Sequence, residues 1–145
     1  MSRLDRERLS KGTFPFHCEI ATRFTDVDML GHINNVATAG LLQEGRTRFA
    51  YGCGLVGLMK GRSTVVVSIA IDYVGELRHP DPVQMAVGVL AIGRTSCRFG
   101  QVVSQHGRIG TFAETVLVVS LDGQPVPFDE EWRAKLESLM IGAAR

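Results

Sequence analysis

The chain is 145 residues long, with 45% apolar and 21% charged residues, a composition typical of a folded protein with one domain. Its 16 basic and 15 acidic residues leave a formal charge of +1 and form no basic run, so we expect no nucleic-acid partner. No apolar stretch reaches the roughly 20 residues that span a bilayer, so we expect a cytoplasmic location and no membrane partner.

The N-terminal residues 1–12 are rich in charge and are predicted to be a flexible, solvated lead-in to a single domain at residues 13–145. The cysteines Cys18, Cys53 and Cys97 are odd in number and widely spaced, which fits neither a disulfide framework nor a zinc site. We interpret them as small buried apolar residues, and we expect no metal or organic cofactor.

A strand followed by a long helix is predicted next. Apolar and polar residues alternate from Phe14 to Phe24, as in a half-buried strand. Residues 36–51 then show apolar spacings of three and four, and either Asn34 or Asn35 can cap the start of this helix. Small residues along it predict close packing against a flat surface: Ala37, Gly40 and Gly45.

The remainder of the chain is rich in strands. Residues 63–74 are nearly all β-branched, which predicts a central strand covered on both faces. A hairpin at 83–92 and 96–105, a strand at 111–121 and a C-terminal helix from Asp129 follow. This order predicts an α+β fold, in which an antiparallel sheet of five strands packs on one long helix and exposed edges favour pairing between subunits.

Polar side chains crowd the junction between the first strand and the long helix, where they are costly to pack and therefore indicate a site: Asp26, Asp28, His32, Asn34 and Asn35. Asp28 can act there as a nucleophile or as a general base toward water. The free N–H groups at the start of the helix can stabilise an oxyanion. A thiolate leaving group, with a pKa of about 8.5, needs no strong general acid, which favours a thioester over an amide.

Residues 26–35, Asp-Val-Asp-Met-Leu-Gly-His-Ile-Asn-Asn, precede a helix that carries Glu44 and Arg46. This run resembles the hotdog-fold acyl-CoA thioesterases of the 4-hydroxybenzoyl-CoA thioesterase and YbgC-like group, and it is similar to plant acyl-ACP thioesterases at the same junction. The resemblance extends roughly over residues 16–135. It implies a hotdog fold, in which an antiparallel five-stranded sheet wraps around one long central helix and sheets pair in a homodimer. A homotetramer, as a pair of dimers, stays open.

The resemblance also implies hydrolysis of an acyl-CoA thioester to the free acid and CoA, with Asp28 as the catalytic carboxylate and Asp26 in a supporting or capping role. Sites of this family lie at a dimer interface, with the pantetheine arm between the subunits. The turn that matches family members near the CoA arm or nucleotide comprises Arg94, Thr95 and Ser96. Arg62 and Arg98 are looser candidates for phosphate contacts.

Several roles stay open at this stage. His32 either assists catalysis or orients the loop, while Asn35 is assigned to catalysis and Asn34 to substrate binding, with helix capping as the alternative for both. The spacing of Asp26, Asp28 and His32 matches no standard metal site. Two other functions also remain: an acyl-thioester hydratase or dehydratase, and an acyl-CoA-binding module without hydrolysis. Neither the acyl group, nor the choice between CoA and acyl carrier protein, follows from the sequence.

Overall fold

The computed structural model describes residues 4–143, which form one antiparallel sheet with three α-helices. The strands are β1 (Phe16–Ile20), β2 (Ser63–Tyr73), β3 (Val83–Ile92), β4 (Ser96–Gln105), β5 (Arg108–Leu121) and β6 (Gln124–Pro125). The helices are α1 (Arg6–Lys11), α2 (Asn35–Gly52) and α3 (Glu130–Ser138). Two short helical turns occur at Phe24–Asp26 and Val56–Leu58. None of the helices described combines the length and apolar character needed to cross a membrane.

The strands lie in the order β1-β3-β4-β5-β2, and the short β6 pairs with the end of β5. The hairpin of β3 and β4 is confirmed with the predicted bounds, and β5 begins at Arg108 rather than at residue 111. An α+β fold with an antiparallel sheet and a helix is therefore confirmed. The wrapping of the sheet around α2 and its pairing in a dimer stay predictions.

The prediction that residues 63–74 form a central, doubly covered strand is wrong. Within the described residues β2 pairs with β5 alone and forms an edge of the sheet, and Val67 is 57% exposed. β-Branched residues favour a pleated strand wherever it lies, so composition identified the strand and not its neighbours. The long free edge of β2 is therefore open to pairing with another strand.

Helix α2 is 18 residues long, and the carboxamide oxygen of Asn34 caps it by accepting a 2.7 Å hydrogen bond from the N–H of Ala37. Its residues Leu42 and Phe49 are buried against the sheet. Close packing is confirmed at Gly45, where an added Cβ would lie 2.7 Å from Met85 Cγ. The prediction of close packing is wrong at Gly40, where an added Cβ would meet no atom within 4 Å in this chain.

The solvated lead-in predicted for residues 1–12 is wrong from Leu4 to Lys11, while residues 1–3 lie outside the described residues. Leu4 and Leu9 are buried in an apolar cluster with Leu90, Val102 and Phe112. Because successive strand residues point to opposite faces, this cluster covers the face of the sheet opposite to α2. Helix α1 is only six residues long and rich in charge, so its apolar spacing was too short to predict a helix from the sequence.

Helix α3 begins after Asp129, whose carboxylate accepts a 2.8 Å hydrogen bond from the N–H of Trp132. Trp132 and Leu136 are buried in the main core. Met140 lies past the end of the helix and bridges to Val89 of β3 instead of continuing the helical face.

Candidate active site

The junction between β1 and α2 is a compact loop held by backbone hydrogen bonds. Val27 pairs with Ile33, and the N–H of Asp28 donates to the carbonyl of His32 at 2.8 Å. The N–H of Asn34 donates to the carbonyl of Asp26 at 2.8 Å. The loop therefore reaches the first turn of α2 in one defined geometry.

Asp28 is half-buried within this loop, and its two carboxylate oxygens differ in their surroundings. Oδ1 accepts hydrogen bonds from the N–H groups of Leu30 at 2.9 Å and His32 at 3.1 Å. Oδ2 accepts none from the described residues. One oxygen thus fixes the carboxylate and leaves the other available to a ligand or to water.

Asp26 lies two residues earlier and is only 3% exposed. Its carboxylate accepts a 3.0 Å hydrogen bond from the N–H of Arg23 and a 2.9 Å bond from Arg23 Nη2. These bonds hold the pKa of Asp26 below its ordinary value, although burial acts in the opposite direction. The arrangement agrees with a supporting role for Asp26 at the entry to the loop.

His32 points to a different part of the chain. Its Nε2 atom lies 3.2 Å from Glu76 Oε1 and 3.3 Å from Arg78 Nη2. Glu76 also pairs with Arg78 at 2.8 Å. Sequence reasoning did not identify these two partners, because the segment after β2 carries no motif and its approach to His32 depends on the tertiary fold.

Asn34 and Asn35 make different contacts at the start of α2. The side chain of Asn34 is engaged as the helix cap. Asn35 is exposed, and its carbonyl accepts a 3.2 Å hydrogen bond from the hydroxyl of Tyr73 at the end of β2. Within the described residues, the N–H groups of Asn35 and Val36 have no acceptor, as expected for the first turn of a helix.

A cavity of about 720 Å³ lies beside this first turn. Asn34, Asn35 and Val36 line it together with Glu44 and Arg48, whereas Asp28 does not. Glu44 and Arg48 form an ion pair one turn apart, at 3.4 Å. Within one chain the first turn of α2 therefore lines this cavity, while Asp28 lies outside the lining, in the adjoining loop.

The turn at residues 93–96 lies at the opposite end of β3 from the junction. Ile20 pairs with Val83 at one end, while the N–H of Gly93 donates to the carbonyl of Ser96 at the other. Because β3 is 10 residues long, roughly 30 Å of strand separates the two ends. A single chain therefore does not bring Arg94, Thr95 and Ser96 to Asp28.

The looser phosphate candidates are engaged elsewhere. Arg62 Nη2 donates to Asp129 at 2.7 Å, and Arg98 Nη1 donates to Glu114 at 3.1 Å. Among residues 4–143, no group of three or more histidine, cysteine, aspartate or glutamate side chains is arranged to hold a metal ion.

A second cavity, of about 440 Å³, was not predicted from the sequence. It lies between the C-terminal half of α2 and strands β2, β4 and β5, and α3 closes one end. Its walls are mainly apolar, with Phe99, Leu117 and Trp132 among them. Cys97 also lines it, and burial raises the pKa of this thiol to about 12, so the thiol stays protonated and unreactive at neutral pH.

Comparison with known proteins identifies the family. A model of the thioesterase-like superfamily matches residues 22–136, a span that includes the junction, the sheet and most of α3. This chain belongs to the thioesterase-like superfamily. Membership supports thioester hydrolysis as the general class of reaction, while the narrower 4-hydroxybenzoyl-CoA thioesterase and YbgC-like group stays a prediction.

Solved structures share the fold. A thioesterase from Thermus thermophilus, complexed with coenzyme A and zinc, is 29% identical with a TM-score of 0.78, covering 87% of this chain and 94% of that one. A predicted thioesterase from Bacillus stearothermophilus is 24% identical with a TM-score of 0.80, covering 89% and 98%. The uncharacterized protein YsmA of Bacillus subtilis (strain 168) is 29% identical over 86 residues, and the match spans 59% of this chain and 58% of that relative.

Proposed function

We propose that this protein hydrolyses an acyl-CoA thioester to the free acid and CoA. The observation that carries the proposal is the Asp28 carboxylate, anchored through Oδ1 and open at Oδ2, in the loop that leads into the free N–H groups of α2. Membership of the thioesterase-like superfamily and the coenzyme A bound by the Thermus thioesterase support the choice of substrate.

The chemistry needs one carboxylate and one oxyanion site. Asp28 Oδ2 either attacks the thioester carbon, forming an acyl anhydride that water then hydrolyses, or removes a proton from the water that attacks. In both routes the carbonyl oxygen gains charge, and the N–H groups of Asn35 and Val36 stabilise it. The CoA thiolate then leaves without a strong acid, since its pKa is about 8.5.

The complete site belongs to a homodimer paired through β2. Tyr73 links the C-terminal end of β2 to the start of α2. At the other end, Val65 lies opposite Val118, which lies opposite Ser96 in the next strand. Antiparallel pairing of β2 with its copy would therefore place the junction of one subunit beside the 93–96 turn of the other.

The pairing also explains how the separated residues act together. Asp28 and the helix amides come from one subunit, while Arg94, Thr95 and Ser96 of the second subunit contact the CoA arm. His32 is held by Glu76 and Arg78 behind the loop, where it fixes the position of Asp28. The edge of β2 is covered in this arrangement, which removes the unpaired strand from solvent.

Release of thiol from short, medium, long and aromatic acyl-CoAs tests the proposal in wild type and Asp28→Asn. Asparagine keeps an oxygen that accepts the Leu30 and His32 bonds but removes the charge, so we expect turnover to fall at least about a hundredfold. Asp122→Asn is the matched control, since Asp122 lies in an exposed turn with φ +49 that asparagine tolerates.

Undiminished turnover in Asp28→Asn would remove Asp28 from its catalytic role. If wild type binds acyl-CoA and releases no thiol from any member of the panel, the protein is a binding module instead of a hydrolase.

A further inference from the structure

Arg46 extends from α2 into the 440 Å³ cavity, where neutral groups hold it in place. Its Nη1 donates to Gln101 Oε1 at 3.1 Å and to Thr115 Oγ1 at 3.3 Å. Gln101 is fully buried and donates through Nε2 to the carbonyl of Leu42 at 2.9 Å, which leaves its oxygen to face Arg46. The guanidinium is therefore fixed by a network that supplies no negative charge.

No carboxylate among residues 4–143 pairs with Arg46, and its Nε and Nη2 atoms make no hydrogen bond there. In the described part of the chain, the one buried polar side-chain atom that lacks a hydrogen-bond partner is Thr111 Oγ1. Because Nε and Nη2 of Arg46 lack partners and are not among such buried atoms, they are accessible to an incoming molecule. Burial also lowers the pKa of Arg46, because a partly buried charge is less well solvated than an exposed one.

The remainder of the cavity suits a hydrocarbon chain. Its walls include Leu55, Phe99, Leu117 and Phe128, and its volume of about 440 Å³ falls in the range of small-molecule sites. Thr64 of β2 lines the same cavity, at the strand end that the proposed pairing places beside Asp28 of the second subunit. An acyl group bound at that Asp28 can therefore extend toward Arg46.

We propose that this cavity holds the acyl group and that Arg46 binds a carboxylate at its far end, so that the preferred substrates are ω-carboxyacyl thioesters. The inference rests on the proposed thioesterase function and specifies its substrate class. The methylene groups lie along the apolar wall, and the carboxylate accepts hydrogen bonds from Nε and Nη2 of Arg46. A charge-assisted pair of this kind is stronger than a bond between neutral groups.

The test compares kcat/KM for acyl-CoAs of equal length that differ only at the far end: glutaryl with pentanoyl, adipoyl with hexanoyl, and suberoyl with octanoyl. We expect wild type to prefer the carboxylate member of at least one pair by about tenfold or more. Arg46→Met should remove this preference, because it lowers kcat/KM for the carboxylate member much more than for the neutral member. Arg46→Lys, which keeps the charge without the planar fork, should retain part of it.

Arg8→Met is the matched control, because Arg8 is an exposed arginine on α1, on the other face of the sheet. Melting temperatures show whether each variant folds, and if Arg46→Met does not fold, Arg46→Lys decides. If Arg46→Met lowers kcat/KM equally for both members of a pair, Arg46 is a structural residue and the inference is overturned. The inference is also overturned if Arg46→Met dissociates a dimer and leaves the preference between the two members unchanged.

The two proposals fail in different ways. Hydrolysis of neutral acyl-CoAs, with no preference for a terminal carboxylate, overturns the inference and leaves the thioesterase function intact. Absence of hydrolysis, combined with adipoyl-CoA binding that weakens about tenfold or more in Arg46→Met, overturns the hydrolytic function and supports the carboxylate site.

Discussion

Two aspartates separated by one residue have different surroundings in this structure. Asp26 is buried and accepts hydrogen bonds from Arg23, whereas Asp28 is half-buried and one of its oxygens accepts no hydrogen bond from the described residues. The motif resembles a family in which the second aspartate is catalytic, which predicts different roles for the two residues, and these roles stay predictions. It could not predict Glu76 and Arg78 beside His32, since that contact joins segments more than forty residues apart.

The ion pair between the buried Asp26 and the exposed Arg23 should make stability depend on pH. Because the pKa of Asp26 is lowered in the folded state, its stabilising effect is complete above the unfolded value of about 3.9 and is lost as the pH falls through the folded value. We expect Asp26→Asn to cost about 1–3 kcal/mol of unfolding free energy at pH 7, from the loss of a charged acceptor.

Urea unfolding of wild type and Asp26→Asn at pH 7 and at pH 3 measures this dependence. The difference between the two proteins should narrow in acid, while Asp122→Asn should track wild type at both values. A difference that stays constant from pH 7 to pH 3 would show that the charge of Asp26 is not the source of its stabilising effect.

At the scale of elements, the chain pattern predicted where helices and strands lie better than what they contact. The N-cap Asn34 and the apolar spacing located α2, and turn residues located the hairpin of β3 and β4. Neighbours were harder to predict, because β1 pairs with β3 across the whole of α2 and β2. The edge position of β2 and the packing of α1 both depend on such distant contacts.

Two glycines of α2 give a matched test of close packing. In Gly45→Ala the new methyl would lie 2.7 Å from Met85 Cγ and 3.0 Å from Gln101 Nε2, so the buried side chain of Met85 must shift. We expect a net destabilisation of about 1–2 kcal/mol, since overpacking costs more than the gain in helix propensity.

Gly40→Ala is the control, because its methyl meets no atom within 4 Å in this chain and should gain about 0.5–1 kcal/mol from propensity. Chemical denaturation of both variants gives the two free energies. Equal stabilisation by both alanines would mean that α2 does not approach the sheet closely at Gly45.

At the scale of the whole molecule, the two edges of the sheet differ in length. β1 has 5 residues and β2 has 11, and the exposed side chains of β2 include Val65, Val66, Val67 and Ile69. Short edges resist pairing, whereas a long apolar edge favours it. The sequence predicted that edges would exist, but only the strand order shows that β2 is the long edge.

Complementation between variants tests the shared site. Asp28→Asn and the double variant R94A/S96A should each have reduced turnover, but a mixed dimer contains one site with both wild-type contributions. Random mixing makes half of the dimers mixed, so we expect the mixture to recover about a quarter of the wild-type rate. Recovery no greater than the sum of the separate variants, once exchange of subunits has been verified, would contradict a site shared between two subunits.

The cavity behind Arg46 contains the chain's single tryptophan, Trp132. Its indole lies 4.9 Å from the guanidinium carbon of Arg62 and packs edge-on against Phe128, with a distance of 5.3 Å between ring centroids. The native emission of this protein therefore comes from one reporter in a known place. We expect a molecule that enters the cavity to change the emission of this indole, which lines the cavity, whereas a molecule confined to the junction should leave the emission unchanged.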